Sequence, residues 1–400
     1  MKTQLFLCVA FAIIGALFNG CATANRTAVT AAPGINSFAR IHMLDAKNGW
    51  LQTDDPAGLQ VLHTTDGGRD WINVTPHPST NRIWDCQFLN PQMAWISYAD
   101  GKTRLLLTTN AGKSWLPWSP LGDFDNDLHN YFLHTHSCRF FNATDGLAEM
   151  LDGGACQAVY NFFETHDGGM TWKPAFIIPP GGASPNETPG TIHTGDCDGS
   201  AISYYPSGTI VIANGDLMDE TPKGVVRLNL STNAGQSWRD LALPLPERFG
   251  DGLVQSLPPH FFDTDKAILP VFVCKWQNNG PNVYNVLIFY ATKDGGNTWT
   301  RKPVVDLGSQ HFDHECDFIS QKNILMQHGA DLYMTRDGAE SWQAITLHLG
   351  AGQSVIQMDF VDAKHGWLVT SDTTGPSNSF LYRTTNGGIT WSKLPLKISR

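Results

Sequence analysis

The chain has 400 residues, enough to bury a large core, with 38 glycines, 23 prolines and 13 tryptophans against a charged fraction of only 16%. No long 3.6-period apolar stripe runs through it, which excludes a helical bundle and points to many turns joining aromatic-rich strands. A formal charge of −10 argues against a nucleic-acid-binding surface, which calls for a basic patch.

In chain order, the first element is a targeting segment. Lys2 supplies a positive start, Leu5 to Phe18 form an apolar stretch short for a membrane span, and Gly20 precedes Cys21. The run Leu17-Phe18-Asn19-Gly20-Cys21 resembles a bacterial lipobox, although Phe18 stands where Leu is usual. We expect residues 1–21 to act as a signal peptide with Cys21 lipidated, and export to an envelope-anchored position, with the membrane touched only through that lipid. Residues 22–34 are small and polar, as a tether would be.

From residue 35 to 400 the chain repeats itself. The pattern Ser/Thr-x-Asp/Asn-x-Gly-x-x-Trp starts at Thr64 and continues through Asp66, Gly68 and Trp71. It returns around Asn110, Asp167, Asn233, Asp294, Asp337 and Asn386, ending each time in Trp115, Trp172, Trp238, Trp299, Trp342 or Trp391. The sixth copy has Ala339 in place of the usual Gly but keeps Gly338. The Asp or Asn can accept backbone N–H groups within a turn, the Gly takes a positive φ, and the Trp covers the turn. Each copy therefore reads as a β-hairpin and as structure, not as a reactive site. A second turn precedes every hairpin, as Asp45-Ala46-Lys47-Asn48-Gly49-Trp50 and again as Asp362-Ala363-Lys364-His365-Gly366-Trp367. One repeat is thus four strands of about fifty residues, the size of a propeller blade. The expected fold is all-β: a single seven-bladed β-propeller over 35–400, its last blade built wholly from the C-terminal part of the chain.

These hairpins resemble the BNR, or Asp-box, repeat superfamily over nearly all of the mature chain. The pairing of D-A-K-x-G-W with T-T-D-G-G-x-x-W is most like the photosystem II assembly and stability factor-like proteins. That resemblance implies a non-catalytic propeller serving as a binding or assembly platform. Sialidases share the repeat but carry Arg-Ile-Pro in the first blade; here Arg40-Ile41 is followed by His42, and Arg82, Arg227 and Arg248 lie in different contexts.

Topology places the hairpin turns at one end of the ring and the longer loops at the other, where a rigid scaffold presents ligand-binding residues. The expected binding face comprises Arg82, Trp84, Asp85, His134, His136, His193, Asp196, Trp276, His311 and His314, with Trp84 and Trp276 as stacking platforms for sugars or partner side chains. The histidines with Asp196 or Asp313 could be imagined around a metal, but they come from different blades and no metal or cofactor is expected. The alternative to a binding module is a glycoside hydrolase using Asp196, Asp313 or Glu315, for which two carboxyl groups at a defined separation are required. The expected partner is a protein or a glycan, and the chain is expected to act as a monomer.

In an oxidising compartment the six remaining cysteines suggest three disulfides. Aligned repeats place Cys86, Cys138 and Cys316 at equivalent positions, and all six are expected near the loop-rich mouth, paired Cys86–Cys138, Cys156–Cys197 and Cys274–Cys316 across neighbouring blades.

Overall fold

The computed structural model describes residues 38–55, 58–76, 82–99, 103–118, 134–152, 159–178, 201–205, 207–213, 224–275, 283–308, 316–328, 331–349, 352–372 and 379–399. Short strands dominate this region, and each turn predicted between them is made by the residues that the sequence singled out. In the first hairpin Thr64 Oγ1 donates to Asp66 Oδ1 (2.9 Å), and the same carboxylate oxygen accepts from the backbone N–H of Arg69 (3.0 Å) and Asp70 (3.1 Å). Gly68 N–H returns to Thr64 Oγ1 (3.0 Å), and Trp71 Nε1 closes the turn on Gly68 O (3.1 Å). Gly68 has φ +86°, and Ala339, which replaces it in the sixth copy, still adopts φ +69°. An alanine held there is strained, so neighbouring contacts, not the residue's own preference, set that turn.

The two kinds of turn are wired together. In every repeat a backbone N–H in the hairpin turn donates to a carbonyl of the preceding turn: Gly67 to Lys47, Ala111 to Gln92, Gly168 to Thr144, Ala234 to Gly208, Gly295 to Asp265, Gly338 to Lys322 and Gly387 to Lys364. One end of the molecule is thereby a uniform hydrogen-bonded rim.

Seven antiparallel sheets follow one another along the chain. Blade I holds β1 (Phe38–Met43), β2 (Gly49–Asp55), β3 (Gly58–Thr64) and β4 (Asp70–Asn73). Blade II holds β5 (Arg82–Phe88), β6 (Ala94–Ala99), β7 (Thr103–Thr108) and β8 (Leu116–Trp118). Blade III holds β9 (His134–Phe140), β10 (Gly146–Asp152), β11 (Val159–Thr165) and β12 (Lys173–Ile178). Blade IV holds β13 (Ala201–Tyr205), β14 (Thr209–Ala213), β15 (Val225–Ser231) and β16 (Arg239–Pro244). In blade V the inner strand is split into β17 (Leu253–Ser256) and β18 (His260–Phe261), ahead of β19 (Ala267–Lys275) and β20 (Tyr284–Thr292). Its outer strand is likewise split, into β21 (Thr300–Arg301) and β22 (Val305–Asp306). Blade VI holds β23 (Cys316–Phe318), β24 (Ile324–His328), β25 (Asp331–Thr335) and β26 (Gln343–Ile345). Blade VII holds β27 (Gln353–Phe360), β28 (Gly366–Asp372), β29 (Ser379–Thr384) and β30 (Ser392–Leu394).

The core is distributed between the blades. Each interface has its own apolar cluster, as where Trp95, Leu105 and Leu107 of blade II meet Phe140, Phe163 and Trp172 of blade III. At the seam between the last and first blades, Trp367, Val369 and Leu381 pack on Ile41, Leu62 and Trp71. That seam closes the ring, so the chain is a seven-bladed β-propeller. Blade VII is complete from C-terminal residues, as predicted. One strand was not foreseen: β31 (Lys397–Ser399) leaves blade VII and pairs in parallel with β4, adding a fifth strand to the outside of blade I.

Candidate functional site

The innermost strand of each blade is a sheet edge facing the central channel, and one side of it has no neighbouring strand to pair with. In four of these strands the register slips at the same height. Counting from the turn end of each strand, the extra residue is Ala39 in β1, Trp84 in β5, His136 in β9 and Ile356 in β27. Each is followed by three residues and a terminal Met or Phe that pairs with the first residue of the second strand, as Phe88 does with Ala94. The four blades are VII, I, II and III, a contiguous arc. A bulge kinks its strand and re-aims local side chains, and such irregularities gather beside binding sites. Trp84 and His136, both expected at the binding face, are two of the bulged residues. Ile356 is 46% exposed, unusual for a large apolar side chain on an innermost strand.

Below the bulges runs a second ring, formed by the residue just before the terminal Met, Phe or Tyr of each inner strand. Around the molecule these are His42, Gln87, Arg139, Ser203, His260, Asp317 and Asp359. Several satisfy the bare edge of the next blade. Gln87 Oε1 accepts from Phe140 N (2.7 Å) while its Nε2 donates to Phe140 O (3.1 Å), imitating a short piece of strand. Asp317 Oδ2 accepts from Phe360 N (2.5 Å), Asp359 Oδ2 accepts from Met43 N, and the Ser203 hydroxyl donates to Pro259 O. Gln357 adds a second two-point clamp across the closing seam, accepting from Ile41 N (2.7 Å) and donating to Ile41 O (2.9 Å). Pattern reading missed this ring, because seven different side chains fill one structural position.

Burial shapes the chemistry of the ring. It lifts the Asp317 carboxyl to about 7, outweighing the Phe360 and Phe318 backbone N–H groups that favour its charged form. Burial, and next the charge of Arg40, bring His42 down to about 4. Burial, and next Arg139, do the same to His260, also to about 4. His260 also stacks on Phe318 of the next blade, with ring centroids 4.7 Å apart. Arg139 is itself lowered, first by desolvation and then by Arg40.

The structure brings Arg82, Trp84 and Asp85 onto β5 and His134 and His136 onto β9, toward the ends of those strands remote from the turns. His193, Asp196, Trp276, His311, Asp313, His314 and Glu315 lie outside the described residues. No group of three or more His, Cys, Asp or Glu side chains is arranged to hold a metal among the described residues. The seven Asp or Asn residues of the hairpins are all engaged in their own turns, typified by Asp167, whose carboxyl falls to about 2 because the Thr171 hydroxyl and backbone N–H donate to it.

The cysteine reading needs correction. Cys86 and Cys316 occupy equivalent positions, but two residues from the turn end of their strands, not at the mouth. Cys86 is buried with Trp50, Val61 and Val74 of blade I, whereas its neighbour Gln87 reaches blade III. Strand alternation thus turns Cys86 away from the blade that carries Cys138. Cys274 is a thiol, pushed up to about 11 by burial. It stands seven residues along β19 from Ala267, while Met326, the partner of Cys316, stands two residues along β24 from Ile324. That offset of five positions is about 16 Å at roughly 3.3 Å per residue, beyond the roughly 4.4–6.8 Å between Cα atoms that a disulfide spans. Cys156 and Cys197 lie outside the described residues.

The family description that matches the chain is the BNR/Asp-box repeat, at residues 382–393. No curated protein sequence matches it. Among solved structures, YCF48 bound to a D1 peptide is 16% identical, with 93% of this chain and 98% of that one covered and a TM-score of 0.52. YCF48 from Cyanidioschyzon merolae is 14% identical over 88% and 97% of the two chains, with a TM-score of 0.53. A polysaccharide lyase, the PL25 ulvan lyase bound to -[GlcA(1-4)Rha3S]-, is 10% identical over 90% and 96%, also at 0.53. At these identities the likeness is one of fold, which hosts unrelated functions. The chain is a seven-bladed β-propeller of BNR/Asp-box repeats.

Proposed function

We propose that the protein is an exported, lipid-anchored binding platform without catalytic activity, and that its ligand, a protein or a glycan, docks over the mouth on blades VII, I, II and III. The observation that carries this reading is the coincidence of four bulges at one height on four neighbouring inner strands. A ring built only for stability has no use for them, because each bulge interrupts a ladder. The bulged residues include an aromatic, an imidazole and an exposed isoleucine, the mixture of apolar anchor and adaptable polar group found at recognition surfaces. Neighbours of the same fold include one bound to a peptide and one bound to an acidic saccharide, so both ligand classes are within reach of the architecture.

The test is a screen of the purified mature protein on a glycan array and by pull-down, with chromogenic glycosides followed in parallel. Trp84→Ala and Ile356→Asp are expected to weaken retention of the ligand at least about tenfold, a loss near 1.4 kcal/mol. Ile389→Asp, on an exposed hairpin turn at the other end, is expected to leave it unchanged. Turnover of a glycoside abolished by substituting Asp196, Asp313 or Glu315 would replace this reading with an enzyme.

A further inference from the structure

Arg139 is the anomaly in the inner ring. At the same position Gln87, Asp317 and Asp359 latch onto the backbone of the next blade. Arg139 stays exposed, and its nearest described partner is the face of Phe141, 5.8 Å from the ring centroid. Its charge is felt by His260 of blade V, and it feels Arg40 of blade I. Each of these groups is two blades away, with the sheet of blade II or blade IV between. Interaction between them therefore runs through the channel onto which all three inner strands open. Two guanidinium groups share that space, and among the described residues no carboxylate offsets Arg139. Like charges held together in a partly desolvated space cost stability, and a site of this kind is relieved when an anion enters it.

We propose that the channel is an oxyanion-binding site, in which Arg139 and Arg40 grip a sulfate, phosphate or carboxylate group from opposite sides and His260 borders the site. Guanidinium suits the task because its planar fork of donors matches two oxygens at once. The histidine, uncharged at neutral pH, can offer one N–H without adding to the repulsion. The site stands apart from whatever docks at the mouth, since its residues lie deeper on the inner strands than the bulges.

The experiment is calorimetric titration of the intact mature protein with sodium sulfate and with sodium phosphate at pH 7.5, in chloride buffer of matched ionic strength. Thermal melts are run over the same concentrations. Wild type is expected to show saturable heat and a saturable rise in Tm at millimolar anion, well below the range where sulfate stabilises proteins generally. Arg139→Gln is expected to lose at least about tenfold in affinity while melting no lower than wild type in chloride, because removing one of two like charges relieves repulsion. Arg40→Gln should lose affinity similarly and serves as the second variant should Arg139→Gln fold poorly. Absence of saturable heat in wild type overturns the proposal. So does full retention of anion binding in both variants, or a lower Tm of Arg139→Gln in chloride with unchanged sulfate response, which would make Arg139 a structural strut. Loss of glycan or protein docking at the mouth with intact sulfate binding would instead strike at the platform reading alone.

Discussion

A single carboxyl shows how position overrides residue type. Asp317 and Asp167 are both aspartates that accept backbone N–H groups, yet one rises to about 7 and the other falls to about 2. The difference is solvent. Asp167 sits on an exposed turn with the Thr171 hydroxyl and N–H and the Thr165 hydroxyl around it, whereas Asp317 is sealed between blades VI and VII. A carboxyl raised in the folded state binds its proton more tightly there than in the unfolded chain. Its contribution to stability is therefore complete below about pH 4 and is lost as pH rises through about 7. Asp317→Asn keeps an oxygen for the Phe360 N–H and removes the titration. The variant is expected to gain on wild type by up to about 4 kcal/mol between pH 5 and pH 8, each unit of pKa being about 1.4 kcal/mol. Urea denaturation at pH 5, 6.5 and 8 checks this, and parallel pH curves for the two proteins would refute it.

At the scale of the strand, the recurring problem is a bare inner edge. The molecule meets it with side chains, and the two-point glutamine clamps are the most complete solution. Gln87→Leu leaves both the N–H and the carbonyl of Phe140 without their partner in a half-buried place. It is expected to cost about 1–3 kcal/mol, against a smaller loss for Gln87→Glu, which still accepts from Phe140 N. Equilibrium unfolding in urea measures both. The hairpins were readable from sequence because every partner lies within a few residues: Thr64, Asp66, Gly68 and Trp71 satisfy one another inside one turn. The clamps were not readable for the opposite reason. Gln87 meets a backbone 53 residues on and Gln357 one 316 residues back, and neither backbone atom leaves a mark in the sequence. The bulges were hidden too, since an extra residue shows only when two strands are aligned rung by rung. Thus Trp84 and His136 were picked for their chemistry, while the reason that they stand together is register. The cysteine pairs failed on the same ground: equal positions in a repeat put Cys86 and Cys316 at equal depth, and depth was the quantity misjudged.

For the molecule as a whole, closure is the decisive event. The seam between blades VII and I carries the Gln357 clamp, the Asp359 latch, Trp367 Nε1 on Gly67 O (3.0 Å), Arg383 on Ala46 O (2.8 Å) and the parallel strand β31 on β4. Chain ends packed at one seam make it the natural place for the ring to open. Deleting residues 397–400 removes β31 and exposes the edge of β4. The truncated protein is expected to melt a few degrees lower and to show faster amide exchange in blade I than in blade IV. Equal protection of the two blades in a deuterium-exchange comparison would show that β31 is dispensable.

The tail also dictates when the protein can become finished. Residues near Trp71 are among the first to leave the translocation pore, and Lys397–Ser399 are among the last. Blade I must wait, with an open edge, while some three hundred residues pass. During that interval the edge is a template for any extended peptide nearby, so the nascent ring is most vulnerable to aberrant strand addition before its own tail arrives. Arrival of β31 is a built-in signature of completion: a chain cut short anywhere before Lys397 advertises itself by the edge that it leaves uncovered.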